Sequence, residues 1–245
     1  MLRFIIDATY LGLFFLIGFV YCIILFPLGL ISKKARDYLS YYNVKIAFKI
    51  IVFIAGTNVI VKGRENIPKD EAVLYVGNHR SFFDIIISGS ILPPCVGYIS
   101  KNEIKKFLPL SLWMYLINCE FLDRNSVESA LKVINSSSEK IKNGISMFIF
   151  PEGTRAKTDD AMLEFKEGSF KIAKKAKCKI VPVSFNNTSA IFEDQKPRIR
   201  KTTVCVEFGK PIDMEELSKE DKKAIGHYTY NVVKDMVQKN KELIK

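Results

Sequence analysis

Two side chains with acid–base chemistry, His79 and Asp84, lie five residues apart in the stretch 78–84 (NHRSFFD). A histidine whose second ring nitrogen is held by a carboxylate is a general base that can take the proton from a hydroxyl. In a regular helix this spacing puts two side chains roughly 140° apart, so the pair requires His79 in a turn and Asp84 in the first turn of the following helix. The same letters fit a capping box from Ser81 to Asp84, in which Asp84 only starts the helix. From this stretch alone both interpretations stay open.

A second polar group, the segment 151–155 (PEGTR), directly follows the apolar, strand-like run 145–150. Its glycine frees backbone N–H groups, and its threonine and arginine add a hydroxyl and a guanidinium, which together are groups that bind phosphate. A tight turn that leaves an arginine exposed is the alternative. Asp123 and Arg124 end another strand-like piece, and considered alone they are typical of a solvated loop pair.

Strand-like and helical patterns alternate after Gly56, which predicts an α/β domain with one core. The second strand stops at Gly77, so His79 falls at the carboxyl end of a strand, where ligands bind in open α/β sheets. Pro182 lies inside a strand-like run and indicates an edge strand or a bulge, because proline cannot donate to a ladder. The predicted strands are 58–62, 72–76, 97–100, 120–124, 145–150, 180–184 and 203–208. The predicted helices are 84–91, 103–117 with a break at Pro109, 126–142, 165–179 with an interruption at Gly168, and a last helix from 214.

Residues 1–56 are predicted to form a membrane-anchoring helical hairpin. Positions 11–31 are 21 residues without a charge, about the length that crosses a bilayer core, and no small-residue cleavage site follows them as in a signal peptide. Pro27 and Gly29 make a helix that dips into one leaflet and turns back as plausible as a full span. Residues 41–56 would be its amphipathic partner at the interface, or alternatively a helix packed on the core.

Basic residues follow the apolar segment at once, as Lys33, Lys34 and Arg36. By the positive-inside rule they place the rest of the chain, the domain 57–245, at the cytoplasmic face of the cell membrane. The formal charge of +11 and the pI near 9.3 indicate an acidic partner, which could be nucleic acid, anionic membrane lipid or a phosphorylated substrate. Nucleic acid is the weakest candidate, because the sequence has no zinc-finger spacing, RNA-binding aromatic signature or heptad-linked basic region.

The sequence lacks the motifs of several common catalytic and metal sites. The five cysteines are dispersed without a Cys-x-x-Cys pair, which is typical of reduced thiols and not of a disulfide framework or a metal site. There is no Gly-x-x-x-x-Gly-Lys loop, no Gly-x-Gly-x-x-Gly fingerprint and no Gly-x-Ser-x-Gly elbow. A His-Asp base without a nucleophile of its own should activate a hydroxyl on the substrate.

Taken together, four blocks of the chain resemble the glycerolipid acyltransferases, and specifically the 1-acyl-sn-glycerol-3-phosphate acyltransferases, in order and in approximate spacing. Lys101, in Lys-Asn-Glu-Ile, and the segment 165–168 also resemble connecting pieces of that family. One departure is Asn118-Cys119-Glu120, since the family usually carries a glycine before Phe121. The four blocks are Asn-His-x-Ser-x-x-Asp at 78–84, Phe-Leu-Asp-Arg at 121–124, Phe-Pro-Glu-Gly-Thr-Arg at 150–155 and Val-Pro-Val at 181–183.

The resemblance implies a reaction without a metal or other cofactor. His79 would take the proton from the free 2-hydroxyl of lysophosphatidic acid as that oxygen attacks an acyl thioester of coenzyme A or acyl carrier protein, and Asp84 would fix the imidazole. The family fold is a mixed, mainly parallel sheet flanked by helices on both sides. The acceptor's glycerol phosphate would be held by Glu152, Gly153, Thr154 and Arg155, with positive charge added by Arg124 and Lys101.

Two other functions compete with this one. A related enzyme that acylates glycerol 3-phosphate or another lysophospholipid would share the His79 and Asp84 chemistry and differ in its acceptor. A non-enzymatic membrane protein would bind anionic lipid through its basic faces, with the motifs as relics. Activity toward separate acceptors distinguishes these functions.

Overall fold

The sheet of this protein is mixed and mainly parallel, as predicted. The structure is a computed structural model that describes residues 1–156 and 162–244, and in these residues seven strands form one sheet in the order β1-β7-β6-β2-β5-β3-β4. Only the β6–β7 pair is antiparallel among the neighbouring strands. The strands are β1 (Asn58–Lys62), β2 (Leu74–Gly77), β3 (Val96–Lys101), β4 (Glu120–Leu122), β5 (Ser146–Ile149), β6 (Ile180–Asn186) and β7 (Thr203–Phe208).

Helices cover both faces of the sheet, also as predicted. They are α1 (Leu2–Ile31), α2 (Lys33–Ala55), α3 (Phe82–Ile91), α4 (Leu108–Leu116), α5 (Val127–Lys142), α6 (Lys171–Ala176), α7 (Lys219–Lys223) and α8 (Ile225–Asn240). Successive strand residues point to opposite faces. Tyr75 and Phe148 therefore pack with residues of α1 to α4, whereas Leu74 and Met147 pack with residues of α5, α6 and α8. All four side chains are at most 1% exposed, so each face carries a core of its own.

The first helix is longer than predicted and does not stop at Pro27 or Gly29. A proline removes only one backbone hydrogen bond, and here α1 continues to Ile31. The break falls at Ser32, whose backbone is extended and whose hydroxyl oxygen accepts from the backbone N of Ala35 at 3.2 Å, as an N-cap does. The second helix consequently begins at Lys33, earlier than the predicted start at 41, and packs against the first.

Helices α1 and α2 are each long and apolar enough to cross a membrane. One side of α1 enters the core through Cys22 and Leu25. The other side exposes large apolar side chains, among them Leu16, Ile17 and Ile23 at 65% exposure or more. A contiguous apolar surface of this kind is typical of a membrane-associated segment.

The segment 165–186 differs in part from the predictions. The expected helix 165–179, with its interruption at Gly168, is a 3₁₀ turn at Glu167–Phe170 followed by the short α6, which ends at Lys177 in the left-handed region. Of the two interpretations of Pro182, an edge strand or a bulge, the edge strand is wrong, since β6 lies between β7 and β2. Pro182 is tolerated because the β7 ladder ends at the neighbouring Val183, and its carbonyl accepts from the backbone N of Gly209 at 2.8 Å.

Candidate active site

The predicted base lies in the loop that leaves β2, one of the interior strands of the sheet. Asn78 fixes the start of this loop through two hydrogen bonds with the backbone of Phe185 on the neighbouring β6. Its Nδ2 donates to the Phe185 carbonyl at 3.0 Å, and its Oδ1 accepts from the Phe185 N at 2.8 Å. Both polar atoms of the buried Asn78 amide are therefore hydrogen-bonded. They fix the backbone position that precedes His79, the next residue.

Asp84 is both the partner of His79 and part of the cap of α3. The His-Asp pair and the capping box are therefore compatible interpretations of this stretch. Its Oδ2 lies 2.8 Å from His79 Nδ1 and accepts from the backbone N of Arg80 at 2.7 Å and of Ser81 at 2.8 Å. Ser81 completes the capping box by accepting from the Phe83 N at 2.9 Å. A carboxylate at Nδ1 favours the tautomer with the proton on Nδ1, which leaves Nε2 as the basic nitrogen.

The second oxygen of Asp84 is held by Thr188, a residue that the sequence did not single out. Thr188 Oγ1 donates to Asp84 Oδ1 at 2.5 Å, and both side chains are buried. The two residues are 104 positions apart, so no local spacing connects them. Only its position in the sheet could have indicated Thr188 as a site residue. It follows the carboxyl end of β6, which is parallel to β2 and next to it.

The imidazole of His79 packs against an aromatic ring. The rings of His79 and Phe150 have centroids 4.1 Å apart and an interplanar angle of 21°. Phe150 directly follows β5, the other neighbour of β2. Asp84 on one side and Phe150 on the other restrict the orientation of the base, and the imidazole keeps 17% of its surface exposed.

Glu152 contacts the backbone of the base. Its Oε1 accepts from the backbone N of His79 at 2.7 Å, and its Oε2 accepts from the backbone N of Leu163 at 3.1 Å. The residue is only 4% exposed. Burial raises the pKa of the Glu152 carboxyl to about 7, the negative charge of Asp84 adds to the rise, and the two backbone N–H donors oppose it.

Gly153 and Arg155 have distinct local environments in the same turn. The backbone of Gly153 is left-handed with φ +74°, a conformation that glycine adopts without the strain other side chains would have. Thr154 is exposed. Arg155 Nη1 lies 3.2 Å from Glu193 Oε1, and its guanidinium carbon lies 4.0 Å from the centroid of the Phe82 ring.

Arg80 joins the loops that follow β2, β5 and β6. Its guanidinium donates to the carbonyl of Ala156 at 2.9 Å and to Ser189 Oγ at 3.1 Å. In return the backbone N of Ala156 donates to the carbonyl of His79 at 2.9 Å. These bonds hold the base, the segment 151–155 and the residues after β6 in one arrangement.

Lys101 and Arg124 lie at the carboxyl ends of their strands, as His79 does, but away from it. They end β3 and follow β4, which are two and three strands from β2, or roughly 10 and 14 Å at the usual strand spacing. Lys101 Nζ forms an ion pair with Glu103 at 2.6 Å. Among the described residues, no hydrogen bond or ion pair connects either cation to His79 or Asp84.

The departure before Phe121 begins with Asn118, which lies between α4 and β4. This residue adopts the left-handed backbone with φ +58°, a conformation that asparagine tolerates better than most side chains. Its Nδ2 donates to the buried Asp37 Oδ2 at 2.9 Å and so ties the end of α4 to α2.

The site is suited to general-base chemistry on an external hydroxyl. Ser81, the hydroxyl nearest to the pair in sequence, donates to Glu193 Oε2 at 2.6 Å and accepts from Phe83. Both roles of its hydroxyl are thus used in the helix cap. Ser81 is thus not available as a nucleophile for His79, which fits the expectation of a base that acts on a hydroxyl from outside the chain.

Comparison with known proteins agrees with this chemistry. Residues 58–186, more than half of the chain, match the sequence model of the acyltransferase family. The 1-acyl-sn-glycerol-3-phosphate acyltransferase of Saccharomyces cerevisiae is 33% identical over 198 residues, which are 80% of this chain and 64% of the yeast protein. The enzyme of the same name from Borreliella burgdorferi is 30% identical over 208 residues, which are 84% of this chain and 81% of that protein.

The fold also has a solved counterpart. The crystal structure of the 1-acyl-sn-glycerophosphate acyltransferase from Thermotoga maritima superposes with a TM-score of 0.77 and covers 98% of both chains, at 24% identity. The overlap extends over the N-terminal helices as well as the sheet, because nearly the whole of each chain is included.

Proposed function

This chain belongs to the acyltransferase family, and we propose that it transfers an acyl group from a thioester to the sn-2 hydroxyl of 1-acyl-sn-glycerol-3-phosphate, giving phosphatidic acid. The donor is acyl-CoA or acyl carrier protein. The observation that carries the proposal is the 2.8 Å contact between His79 Nδ1 and Asp84 Oδ2 beside the segment 151–155. The names of the two relatives favour lysophosphatidic acid as the acceptor.

The proposed reaction needs one base and no covalent enzyme intermediate. His79 Nε2 takes the proton of the acceptor hydroxyl as that oxygen attacks the thioester carbonyl, and Asp84 stabilises the imidazolium that forms. The tetrahedral intermediate then expels the thiolate, which takes the proton back from His79. The ester and the free thiol leave, and the base is restored.

We assign the acceptor phosphate to the turn that contains Gly153, Thr154 and Arg155. A guanidinium binds two phosphate oxygens at once, and an exposed hydroxyl and a glycine backbone add donors. Glu152 was predicted to hold the acceptor as well, and its contact with the His79 backbone supports a role in placing the base beside the phosphate. Arg124 and Lys101 would add positive charge from the ends of β4 and β3, two or three strands away.

The N-terminal helices fit an acceptor that resides in a bilayer. We propose that residues 1–56 anchor the catalytic domain, 57–245, to the cytoplasmic face of the cell membrane. The exposed apolar side of α1 supports the anchor. The cluster Lys33, Lys34 and Arg36 supports the orientation. The two exposed lysines support contact with anionic lipid headgroups, whereas Arg36 is only 12% exposed and pairs with Asp37.

The test is an acyl-transfer assay with purified protein and separate substrates. Acyl-CoA and acyl carrier protein thioesters are each supplied with lysophosphatidic acid, glycerol 3-phosphate or a lysophospholipid without a free phosphate. We expect transfer to lysophosphatidic acid and a loss of roughly 100-fold or more in kcat for His79→Ala, the scale of a lost general base. Equal activity in a folded His79→Ala variant would overturn the mechanism, and a preference for glycerol 3-phosphate would change the acceptor.

A further inference from the structure

Glu193 lies between the beginning of α3, which carries Asp84, and the guanidinium of Arg155. No sequence motif identified this residue. It belongs to a 3₁₀ turn, Glu193–Gln195, beyond the residues that match the family. We propose that Glu193 is a positioning residue that fixes the guanidinium of Arg155 for the acceptor phosphate. This inference rests on the proposed function, because it concerns how the phosphate of that acceptor is bound.

Glu193 is fixed by the beginning of α3. Its Oε1 accepts from the backbone N of Phe82 at 2.8 Å, and its Oε2 accepts from Ser81 Oγ at 2.6 Å. Its side chain is only 12% exposed. A carboxylate at a helix N-terminus is favoured by the unpaired N–H groups and the helix dipole, so Glu193 has a stable place without Arg155.

Arg155, in contrast, depends on groups of α3 and of Glu193 for its place. Its Nη1 lies 3.2 Å from Glu193 Oε1, its guanidinium stacks over the half-exposed Phe82 ring, and its side chain is 36% exposed. An exposed arginine loses considerable rotamer freedom when it binds a ligand. Contact with Glu193 and Phe82 reduces that loss in advance, which is the usual benefit of preorganisation.

The geometry favours support of Arg155 over a competing interpretation, in which Glu193 occupies the phosphate site and is displaced by the acceptor. Displacement would break two bonds to the cap of α3, and Asp84 belongs to that same cap. A guanidinium has five N–H donors in a planar fork, so the contact at Nη1 leaves donors for a phosphate. Glu193 therefore holds Arg155 while the remaining donors bind the acceptor.

The experiment compares Glu193→Ala, Glu193→Gln and Glu71→Ala with the unchanged protein. Glu71 is the matched control, because it also pairs with a cation, Lys179 at 2.9 Å. It precedes the amino end of β2, whereas the candidate site lies at the carboxyl end. We expect Glu193→Ala to raise the KM for lysophosphatidic acid roughly ten-fold, with the donor KM unchanged and kcat changed much less. The neutral Gln retains hydrogen-bonding atoms and should recover most of the loss, and Glu71→Ala should have no effect.

A second measurement does not depend on turnover. Binding of lysophosphatidic acid without a donor is measured by calorimetry in detergent micelles, and Glu193→Ala should weaken it by the same factor. The substitution should add little in an Arg155→Ala background, because Glu193 acts through that guanidinium. Melting temperatures in the same detergent identify a loss that comes from unfolding.

The outcomes separate this inference from the function on which it rests. Unchanged or tighter acceptor binding in Glu193→Ala overturns the positioning role, and so does a full additional loss in the Arg155→Ala background. Binding that depends on Glu193 in a protein that transfers no acyl group supports the inference and refutes the proposed reaction. Absence of lysophosphatidic acid binding in the unchanged protein overturns both.

Discussion

Thr188 donates its hydroxyl hydrogen to Asp84 Oδ1 at 2.5 Å, and both residues are almost completely buried. The other oxygen of Asp84 faces His79. The carboxylate is therefore held from two directions, by the base that it serves and by a residue from the far part of the chain. A buried carboxylate oxygen without a donor loses its solvation uncompensated, so this bond offsets the cost of burying Asp84 and fixes its orientation.

Thr188→Val tests that bond with little change of side-chain volume. We expect kcat/KM to fall by the equivalent of about 1.5 to 3 kcal/mol, the scale of a hydrogen bond to a charged group. Thr188→Ser keeps the hydroxyl and should retain most of the activity. Assays well below the melting temperature of each variant separate catalysis from stability, and equal kcat/KM in the Val variant would contradict the role of Thr188.

Arg155→Ala should weaken the use of the acceptor and leave the use of the donor unchanged. The expected loss in kcat/KM for lysophosphatidic acid is about 1.5 to 3 kcal/mol, because a charge-assisted bond to phosphate is removed. Arg155→Lys keeps the charge without the planar fork and should recover only part of the loss. Arg124→Ala and Lys101→Ala are measured in parallel, and we expect smaller losses since these cations lie two or three strands from the base. An unchanged acceptor KM in Arg155→Ala would remove this residue from the phosphate site.

Glu152 should make the stability of the protein depend on pH. Its pKa is about 7 in the folded chain, against an ordinary value of 4.5, so between these values the folded state binds the extra proton. Stability is then fullest below pH 4.5, falls as the pH rises through 7, and changes little above it, by up to about 3 kcal/mol in total. Glu152→Gln cannot ionise.

Melting temperatures at pH 5.5 and pH 8.5 measure the effect of Glu152. The difference between the two temperatures should be smaller in Glu152→Gln than in the unchanged protein. An identical difference in both proteins would show that Glu152 does not titrate in this range. Glu164→Gln, a change at a largely exposed carboxylate, is the matched control.

Polar substitutions on the exposed side of α1 should release the protein from lipid. Leu16→Asp together with Ile23→Asp removes two side chains that are 68% and 65% exposed. Each apolar side chain withdrawn from a bilayer costs about 1.5 to 3 kcal/mol. Sedimentation with anionic vesicles should therefore decrease strongly, whereas Leu131→Asp, on α5 at the other face of the sheet, should have no effect. Unchanged sedimentation of the α1 variant would mean that another surface binds the membrane.

The sequence predicted the local parts of the site and missed its long-range parts. The capping box and the His79–Asp84 pair follow from residues within one turn, and the helix from Ser126 to Lys142 follows from its cap and apolar period. Thr188 and Glu193 are 104 and 112 positions from their partners Asp84 and Ser81. Only the arrangement of β2 beside β6 brings them together, and a single-chain pattern does not contain that arrangement.

Two prolines had less influence on the elements around them than their propensity indicates. Pro182 indicated an edge strand or a bulge, but the ladder ends beside it and the strand lies in the interior of the sheet. Pro27 left open whether the first helix turns back or continues, and the side-chain cap of Ser32 decides where the second helix starts. In both cases a neighbouring hydrogen bond outweighed the propensity of the proline.

The position of β2 between β5 and β6 has a consequence for synthesis of the chain. Residues 74–76 pair with 147–149 on one side and residues 74–77 pair with 180–183 on the other, so both neighbours of this strand are translated long after it. Contacts of such large sequence separation form late in folding, because the loops must close first. A growing chain already contains His79 and Asp84 when residue 150 is made, but the groups that orient them, Thr188 and Glu193, have not yet been translated. The contacts that orient His79 and Asp84 can thus form only after residue 193 has been made, when most of the chain already exists.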